Sequence, residues 1–213
     1  MARIAVIGGH GKVALQLARI LTDRGDEVSS LFRNPDHSDD VAATGARPVV
    51  ADIERLDTDA LAGLLAGYDA VVFSAGAGGG NPARTYAVDR DAATRVIDAA
   101  ARAGVRRFVM VSYFGAGLDH GVPQGDSFFP YAEAKAAADA HLRASDLDWT
   151  MLGPGRLTLE PATGHIAVGK GKGEVSRADV ALVVAAALQD NSTIGRTIEF
   201  NNGDVPIAEA LAG

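Results

Sequence analysis

Short runs of hydrophobic residues alternate with amphipathic segments along the whole chain of 213 residues. The runs predict buried β-strands, because a few consecutive apolar residues bounded by glycine or polar residues fit a strand that is covered on both faces. We predict strands at Arg3–Ile7, Glu27–Phe32, Pro48–Ala51, Ala70–Ser74, Arg107–Ser112, Trp149–Leu152 and Thr197–Phe200.

The segments between these strands have the spacing of amphipathic helices. In Val13–Arg24 the apolar residues Leu17, Ile20 and Leu21 recur at intervals of three and four, and Gly25 follows as a stop signal. We predict further helices at Thr58–Leu65, Val88–Ala103, Tyr131–Ala144 and Arg177–Leu188.

The alternation of strands and helices predicts an α/β fold with a doubly wound parallel sheet and helices on both faces. No change in composition, repeat or low-complexity linker divides residues 1–213, so we expect a single domain. The glycine-rich stretch Ala77–Asn81 directly follows a predicted strand. We interpret it as a loop over a site and not as a linker.

Composition and charge narrow the function classes. The chain is 47% hydrophobic, lacks cysteine and has a net charge of −7, which excludes disulfide or thiolate chemistry and disfavours binding to nucleic acid or to an anionic membrane. No stretch approaches the roughly 20 apolar residues that cross a bilayer. We expect a cytoplasmic protein, a monomer or homodimer, whose partner is a small-molecule substrate.

The turn Gly8-Gly9-His10-Gly11 lies between the first predicted strand and the first helix. Its spacing, Gly8-x-x-Gly11-x-x-Ala14, is that of a dinucleotide-binding turn, in which glycines allow a pyrophosphate to approach the N-terminus of a helix. We predict cofactor contacts from Gly8, His10, Gly11, Lys12 and Val13. The alternatives are a glycine turn that only connects two elements and a Lys12 that is simply exposed.

The residue after the second strand favours NADP over NAD. An NAD-binding site usually has an acidic residue there, which accepts from the ribose 2′-hydroxyl and repels a 2′-phosphate. In this chain the position is Arg33, whose guanidinium suits a phosphate. NAD remains the alternative cofactor, and a solvated surface arginine is the alternative interpretation of Arg33.

Two further strand ends fit the same groove. Asp52 and Ile53 follow the third strand, where they can bracket an adenine, unless Asp52 merely caps the next helix. Ser74, Ala75 and Gly76 follow the fourth strand, where small residues allow a ribose to approach closely. Small residues also suit any turn.

A candidate catalytic group comes from Tyr131 and Lys135, which are four residues apart and therefore share one face of a helix. We expect Lys135 to lower the pKa of Tyr131, so that the phenol can donate a proton to a carbonyl as hydride arrives. Ser112, at the end of the fifth strand, is the candidate that polarises this carbonyl. Lys135 is also a candidate contact to the cofactor.

The five histidines have no metal-binding spacing, and we expect no metal site. His10 is expected to line the cofactor, and the other four histidines are expected at the surface. Asp36, Asp39 and Asp40 form an acidic run that we also expect to be solvated.

These residues together resemble the atypical short-chain dehydrogenase/reductases, in particular the NAD(P)H-binding, NmrA-like branch that includes biliverdin and flavin reductase-type proteins. The resemblance extends over nearly the whole chain. It is carried by Val6-Ile7-Gly8-Gly9-His10-Gly11-Lys12-Val13-Ala14, Arg33-Asn34-Pro35, Tyr68-Asp69-Ala70-Val71-Val72-Phe73-Ser74-Ala75-Gly76 and Phe108-Val109-Met110-Val111-Ser112. It continues through Tyr131-x-x-Ala134-Lys135, Ser145-x-Leu147-Asp148-Trp149-Thr150, Pro154-Gly155, Ser176-Arg177-x-Asp179-Val180-Ala181 and Asn202-Gly203-x-x-Pro206-Ile207.

The resemblance implies a Rossmann-like sheet of about seven strands, with residues 153–213 closing a small substrate cleft. It also implies that Lys135 binds the nicotinamide ribose, with Tyr131 and Ser112 nearby. Family members commonly have Arg-Pro-Gly after the sixth strand, whereas this chain has Gly153-Pro154-Gly155, and Arg156 is the candidate substitute. Tyr113 also stands where a second small hydroxyl residue is frequent.

Two functions agree with this pattern. The first is an NADP(H)-dependent oxidoreductase that reduces a small carbonyl, quinone or flavin-like acceptor. The second is a non-catalytic NADP(H)-binding redox sensor that regulates a partner protein, because the same branch contains such members. An epimerase or dehydratase acting on nucleotide sugars is a third possibility, and it usually needs a larger C-terminal lobe than residues 153–213 provide.

Overall fold

The computed structural model describes residues 1–78, 80–169 and 171–212. Gly79 of the predicted Ala77–Asn81 loop, Lys170 and the C-terminal Gly213 therefore lie outside the described residues. The strands are β1 (Arg3–Ile7), β2 (Glu27–Phe32), β3 (Arg47–Val50), β4 (Ala70–Phe73), β5 (Arg107–Val111), β6 (Asp148–Pro154), β7 (Arg156–Thr158), β8 (His165–Val168), β9 (Glu174–Ser176), β10 (Arg196–Asn202) and β11 (Val205–Pro206). The α-helices are α1 (Lys12–Asp23), α2 (Ser38–Ala42), α3 (Thr58–Leu65), α4 (Pro82–Thr85), α5 (Ala93–Arg102), α6 (Phe129–Arg143), α7 (Arg177–Gln189) and α8 (Ile207–Ala212).

The central sheet has the strand order β11-β8-β10-β6-β5-β4-β1-β2-β3. The seven strands from β10 to β3 are all parallel, and they are the seven strands that the hydrophobic runs predicted. The total of about seven is too low, because two further strands extend the sheet: β8 pairs antiparallel with β10, and β11 pairs antiparallel with β8. These added strands are short and partly exposed, so they lack a continuous apolar run.

Each strand of the sheet centre divides its side chains between two hydrophobic layers. On β1, Ile4 and Val6 face the layer formed with α1 and α7, whereas Ala5 and Ile7 face the layer formed with α3, α5 and α6. Because both faces are covered, successive residues are apolar without alternation, which is the pattern of a buried parallel strand. The predicted doubly wound architecture is confirmed.

The predicted helix Val88–Ala103 is wrong in its beginning and in its geometry. The helical segment starts at Pro82 in α4, passes through a π-helical segment at Tyr86–Ala92 and continues as α5. Asn81 caps its start, because the Asn81 side chain accepts from the backbone N–H of Arg84. A π-helical turn inside an α-helix is often found at functional sites.

The C-terminal portion adds a second small sheet beside the main one. β7 and β9 pair in parallel, and Ser176 caps the start of α7, because its Oγ atom accepts from the backbone N–H of Asp179. The buried side chain of Asp179 in turn accepts from the backbone N–H groups of Thr163 and Gly164. These contacts fix the segment between β7 and β8. No helix in the described ranges is long and apolar enough to cross a membrane.

Candidate active site

The glycine turn occupies the point where β1, β2 and β4 end. Gly8 has φ of +82°, and a β-carbon there would lie 2.5 Å from the Cα atom of Ala75. A β-carbon on Gly9 would collide with Ser30 of β2. Only glycine fits these two positions, because one needs a left-handed backbone and both lie against a neighbouring chain segment.

The N-terminus of α1 is open toward the groove. Gly11 is the residue before α1, and no side chain among the described residues caps this helix. The free N–H groups of a first helical turn, together with the helix dipole, form an anion-binding site. Lys12 is exposed beside it, whereas the side chain of Val13 is packed in the core.

A groove of about 330 Å³ runs along the carboxyl ends of β1, β2, β3 and β4. It lies where the strand order reverses between β1 and β4, which is the usual position of a nucleotide in an open α/β sheet. The predicted cofactor residues that line it are Gly8, His10, Gly11, Arg33, Asp52, Ile53, Ser74, Ala75 and Gly76. Sequence reasoning did not single out Asn34, His37, Glu54, Arg84 and Val88, which line it too.

Arg33 reaches into this groove and forms an ion pair there. Its Nη1 atom lies 2.9 Å from Oε1 of Glu54, and the same oxygen accepts from Nε of Arg84 at 3.4 Å. Arg33 remains half-exposed. The groove therefore has two guanidinium groups around one carboxylate at the end where β2 and β3 finish.

Two imidazoles form another part of the groove wall. The rings of His10 and His37 stack with centroids 3.6 Å apart, and Nε2 of His10 lies 2.9 Å from Oδ2 of Asp40. His37 is partly exposed, as expected of a surface residue, and this stack also makes it part of the groove wall. His120 differs from the same expectation, since its side chain is almost fully buried against Phe129 and Glu133.

Asp52 lines the groove but already has partners. Its Oδ1 atom accepts from the backbone N–H of Glu54 at 3.1 Å, and its other oxygen lies 3.5 Å from Nε of Arg55. Asp52 does not cap the next helix, α3, because Asp57 does so. The bond from Glu54 instead orders the turn after β3. Ile53 has its carbonyl held by Arg95 at 3.0 Å.

Ser112 directly follows β5, and Tyr131 and Lys135 lie on α6, which contacts the end of this strand through Lys135. The described lining of the groove does not include these three residues. Lys135 is 1% exposed, and its Nζ atom donates to the carbonyl oxygen of Val111 at 2.9 Å. Ser112 is buried and donates to Oδ2 of Asp139 at 2.5 Å. Asp139 lies four residues after Lys135, on the same face of α6.

The expectation that Lys135 lowers the pKa of Tyr131 is wrong for this structure. Burial raises the pKa of Tyr131 well above its usual value, and the negative charges of Asp89 and Asp139 raise it further. The ammonium group of Lys135 is turned instead toward β5. In this arrangement Tyr131 keeps its proton at neutral pH.

Asp89 and Asp139 are the buried acids that sequence reasoning missed. Asp89 lies in the π-helical segment and accepts from the backbone N–H of Ala77 at 3.0 Å, which ties this helix to the end of the groove. One oxygen of each carboxyl group lacks a hydrogen-bond partner among the described residues. Burial raises the pKa of both carboxyls, and the charge of Lys135 opposes the increase.

A second pocket of about 330 Å³ lies between the segment after β5 and Tyr131 of α6. Its wall is aromatic, because the rings of Tyr113, Phe128 and Tyr131 contact one another at centroid distances of 5.2 to 5.5 Å. The remaining lining residues are Phe114, Pro154, Gly155, Arg156, Lys172 and Gly173. The two departures from the family pattern, Tyr113 and the Gly153-Pro154-Gly155 segment, therefore both shape this pocket.

Arg156, the candidate substitute for the missing family arginine, has its guanidinium group paired with an acidic residue. It begins β7 and forms an ion pair with Glu174 of β9 at the pocket rim. Among the described residues, no group of three or more histidines or acids could hold a metal ion.

Comparison with known proteins agrees with this geometry. Residues 8–191 match the model of a family described as NAD(P)H-binding. An uncharacterized sugar epimerase of Bacillus subtilis, YhfK, is 36% identical over 213 residues, with 98% of each chain covered.

Two solved structures are similar throughout. A putative NAD-dependent epimerase/dehydratase from Bacillus halodurans has a TM-score of 0.91 and 35% identity, and covers 100% of this chain and 99% of its own. The oxidoreductase ylbE from Lactococcus lactis has a TM-score of 0.89 and 28% identity, with 99% and 95% covered. The chain therefore belongs to the NAD(P)H-binding family with an atypical short-chain dehydrogenase/reductase fold.

Proposed function

We propose that the protein is an NADP(H)-dependent oxidoreductase that reduces a small carbonyl, quinone or flavin-like acceptor. The observation that carries this proposal is the aromatic pocket that reaches Tyr131 beside the nicotinamide end of the groove. Asp89 lies between the groove and this pocket, because its Oδ1 atom is close to Gly76 of the groove and its charge raises the pKa of Tyr131 in the pocket. A pocket of about 330 Å³ suits a small planar acceptor better than a nucleotide sugar.

The residues present fit a nicotinamide dinucleotide. The start of α1, which no side chain among the described residues caps, leaves backbone N–H groups available for a pyrophosphate. Arg33 supplies a guanidinium for a 2′-phosphate, which supports NADP over NAD. When bound, a reduced nicotinamide supplies the hydride for the reduction.

In this proposal Tyr131 is the proton donor. Its raised pKa keeps the Oη proton in place until negative charge develops on the acceptor oxygen, to which the proton then moves. Ser112 orients a carbonyl if its hydrogen turns from Asp139 to the acceptor. The raised pKa of the Asp139 carboxyl favours a protonated Asp139 that can then donate to Ser112.

The oxidoreductase proposal is tested by oxidation of NADPH with menadione, flavin mononucleotide and benzaldehyde as acceptors. We expect Tyr131→Phe to lower the turnover of the aldehyde by roughly 10²- to 10³-fold, since general acid catalysis contributes about this much. Tyr68→Phe is the matched control, because Tyr68 lies beside the N-terminal ends of β1 and β2, whereas the groove follows the carboxyl ends of the strands. Unchanged turnover of the aldehyde in Tyr131→Phe would remove Tyr131 from the mechanism.

The cofactor preference is tested by calorimetric titration with NADPH and NADH. We expect Arg33→Ala to weaken the binding of NADPH by roughly 1–3 kcal/mol, which is the range for a charge-assisted phosphate contact. NADH has no 2′-phosphate and should lose much less. An equal loss for both cofactors would contradict the assignment of Arg33 to the 2′-phosphate.

A redox sensor is the second candidate, because two large apolar side chains are exposed in the segments next to the aromatic pocket. Leu118, between β5 and α6, is 75% exposed, and Leu159, after β7, is 74% exposed. Exposed leucines beside a cofactor site favour a protein partner. Affinity capture with protein loaded with NADPH or NADP⁺, compared with Leu118→Ser, tests this function. Rapid acceptor turnover without a redox-dependent partner would argue against it.

A further inference from the structure

Glu54 is held in the groove by its own backbone. The N–H of Glu54 donates to Oδ1 of Asp52 at 3.1 Å, and the carbonyl of Glu54 accepts from Nη2 of Arg95 at 3.3 Å. Arg95 is a residue of α5 and also holds the carbonyls of Ile53 and Leu56. The turn after β3 therefore has few conformations, and the Glu54 side chain extends from a fixed base.

The carboxylate of Glu54 is shared between two cations that come from opposite sides of the groove. Arg33 follows β2, whereas Arg84 belongs to α4, and both contact Oε1 of Glu54. Arg84 is itself anchored, since its Nη1 atom donates to the carbonyl of Ala77 at 3.0 Å. Arg33 is half-exposed, and among the described residues its guanidinium group does not donate to a backbone carbonyl as that of Arg84 does.

A carboxylate and a phosphate bind the same N–H groups of a guanidinium, because each accepts charge-assisted hydrogen bonds from its planar fork. For Arg33 to contact a 2′-phosphate, it must release Glu54. Arg84 can retain Glu54 when this happens, and it then partly neutralises a carboxylate that would otherwise repel the phosphate.

We propose that Glu54 is a specificity-determining residue, whose carboxylate competes with the 2′-phosphate of NADP(H) for Arg33 and thereby limits the preference for NADP(H) over NAD(H). The inference rests on the proposed function, since it assumes that Arg33 faces a 2′-phosphate. Glu54 is neither a proton donor nor a contact to the nicotinamide in this role. It acts through Arg33.

The test is calorimetric titration of the purified protein with NADPH and, separately, with NADH. We expect Glu54→Gln to tighten NADPH roughly tenfold, because the competing charge is removed while a neutral acceptor for Arg84 remains. The affinity for NADH should change by less than about twofold, since NADH has no 2′-phosphate to bind Arg33. Glu209→Gln, on the exposed face of α8, is the control for the same change in net charge.

A double mutant shows whether Glu54 acts through Arg33. In an Arg33→Ala background, Glu54→Gln should no longer tighten NADPH beyond about twofold, because there is nothing left to compete for. A gain of the same size in both backgrounds would overturn the proposal in favour of general repulsion. A loss of NADH affinity in Glu54→Gln would overturn it in favour of a direct bond from Glu54 to the ribose.

The failure of this inference can be separated from failure of the proposed function. If the wild type binds NADPH and Arg33→Ala selectively weakens it, the 2′-phosphate assignment holds whatever Glu54→Gln does. An unchanged NADPH affinity in Glu54→Gln then overturns the role of Glu54 alone. Thermal unfolding of each variant confirms that the comparison is made on folded protein.

Discussion

The two ends of the groove are built from opposite kinds of polar chemistry. At the end where the proposed function puts the 2′-phosphate, here called the phosphate end, Arg33, Glu54 and Arg84 are partly exposed, and each has a charged partner within hydrogen-bond distance. At the end where the proposed function puts the nicotinamide, here called the nicotinamide end, Asp89 and Asp139 are almost completely buried, and each has one oxygen without a hydrogen-bond partner among the described residues.

This difference separates binding from chemistry. Exposed ion pairs are weak and exchange partners easily, so the phosphate end can accept an anionic ligand without losing much stability. Buried polar groups without partners are costly, and they persist where the surrounding structure holds them. Perturbed pKa values of this kind concentrate at functional sites, which is why the nicotinamide end is the better candidate for proton transfer.

The largest effect is expected at the glycine turn of the phosphate end. Gly8→Ala should lower the free energy of unfolding by about 3–4 kcal/mol, because it adds a clash with the Ala75 backbone to the strain of a left-handed residue. Gly25→Ala is the matched control, since Gly25 has φ of +91° with nothing within 4 Å of the added carbon. Gly25→Ala should lower the free energy of unfolding, measured in urea, by only about 1–2 kcal/mol. Equal losses would show that packing at the turn is loose.

A somewhat smaller effect is expected from the buried ammonium at the nicotinamide end. Lys135→Met should lower the free energy of unfolding by about 2–3 kcal/mol, because it removes the cation that faces Asp89 and Asp139. The loss is limited because both carboxyls can take up a proton. Lys12→Met is the control, because Lys12 lies in the exposed start of α1. It should change the free energy of unfolding, measured in urea, by less than about 0.5 kcal/mol. An equally small effect of Lys135→Met would mean that the buried cluster is not electrostatically coupled.

The smallest effect is a change in pH dependence from Asp139→Asn. Burial raises the pKa of Asp139 in the folded protein, so between the unfolded pKa of about 3.9 and the folded value the folded state holds the extra proton. This contribution is complete at low pH and is lost as the pH rises through the folded pKa. The free energy of unfolding of the wild type, measured in urea, should therefore fall more as the pH rises from about 4 than that of Asp139→Asn.

The opposite slope would indicate that the folded protein stabilises the Asp139 carboxylate. Asp59→Asn is the control for the loss of one carboxyl charge, because Asp59 is exposed and pairs with Arg102 at the surface. The same change of slope in Asp59→Asn would assign the effect to net charge and not to the burial of Asp139.

Much of the fold could be predicted because the parallel strands are covered on both faces. β1, β4 and β5 are continuous apolar runs, and each of the seven parallel strands was located within a few residues. β8, β11 and the β7–β9 pair were missed, since short strands with exposed faces carry no such run. The start of the helix at Pro82 was missed for another reason, because its cap at Asn81 follows a glycine-rich stretch that indicated a loop.

The sequence by itself determined the sheet, the glycine turn and the identity of the residues at each strand end. These features are local: a strand needs an apolar run, and a turn against its neighbours needs glycine. Only the tertiary structure decided which partners the acidic side chains have. Glu54 pairs with Arg33 and Arg84, Asp139 accepts from Ser112, and Asp89 accepts from the backbone of Ala77. These partners are 12 to 30 residues apart in the chain, so no periodic pattern in the sequence indicates them.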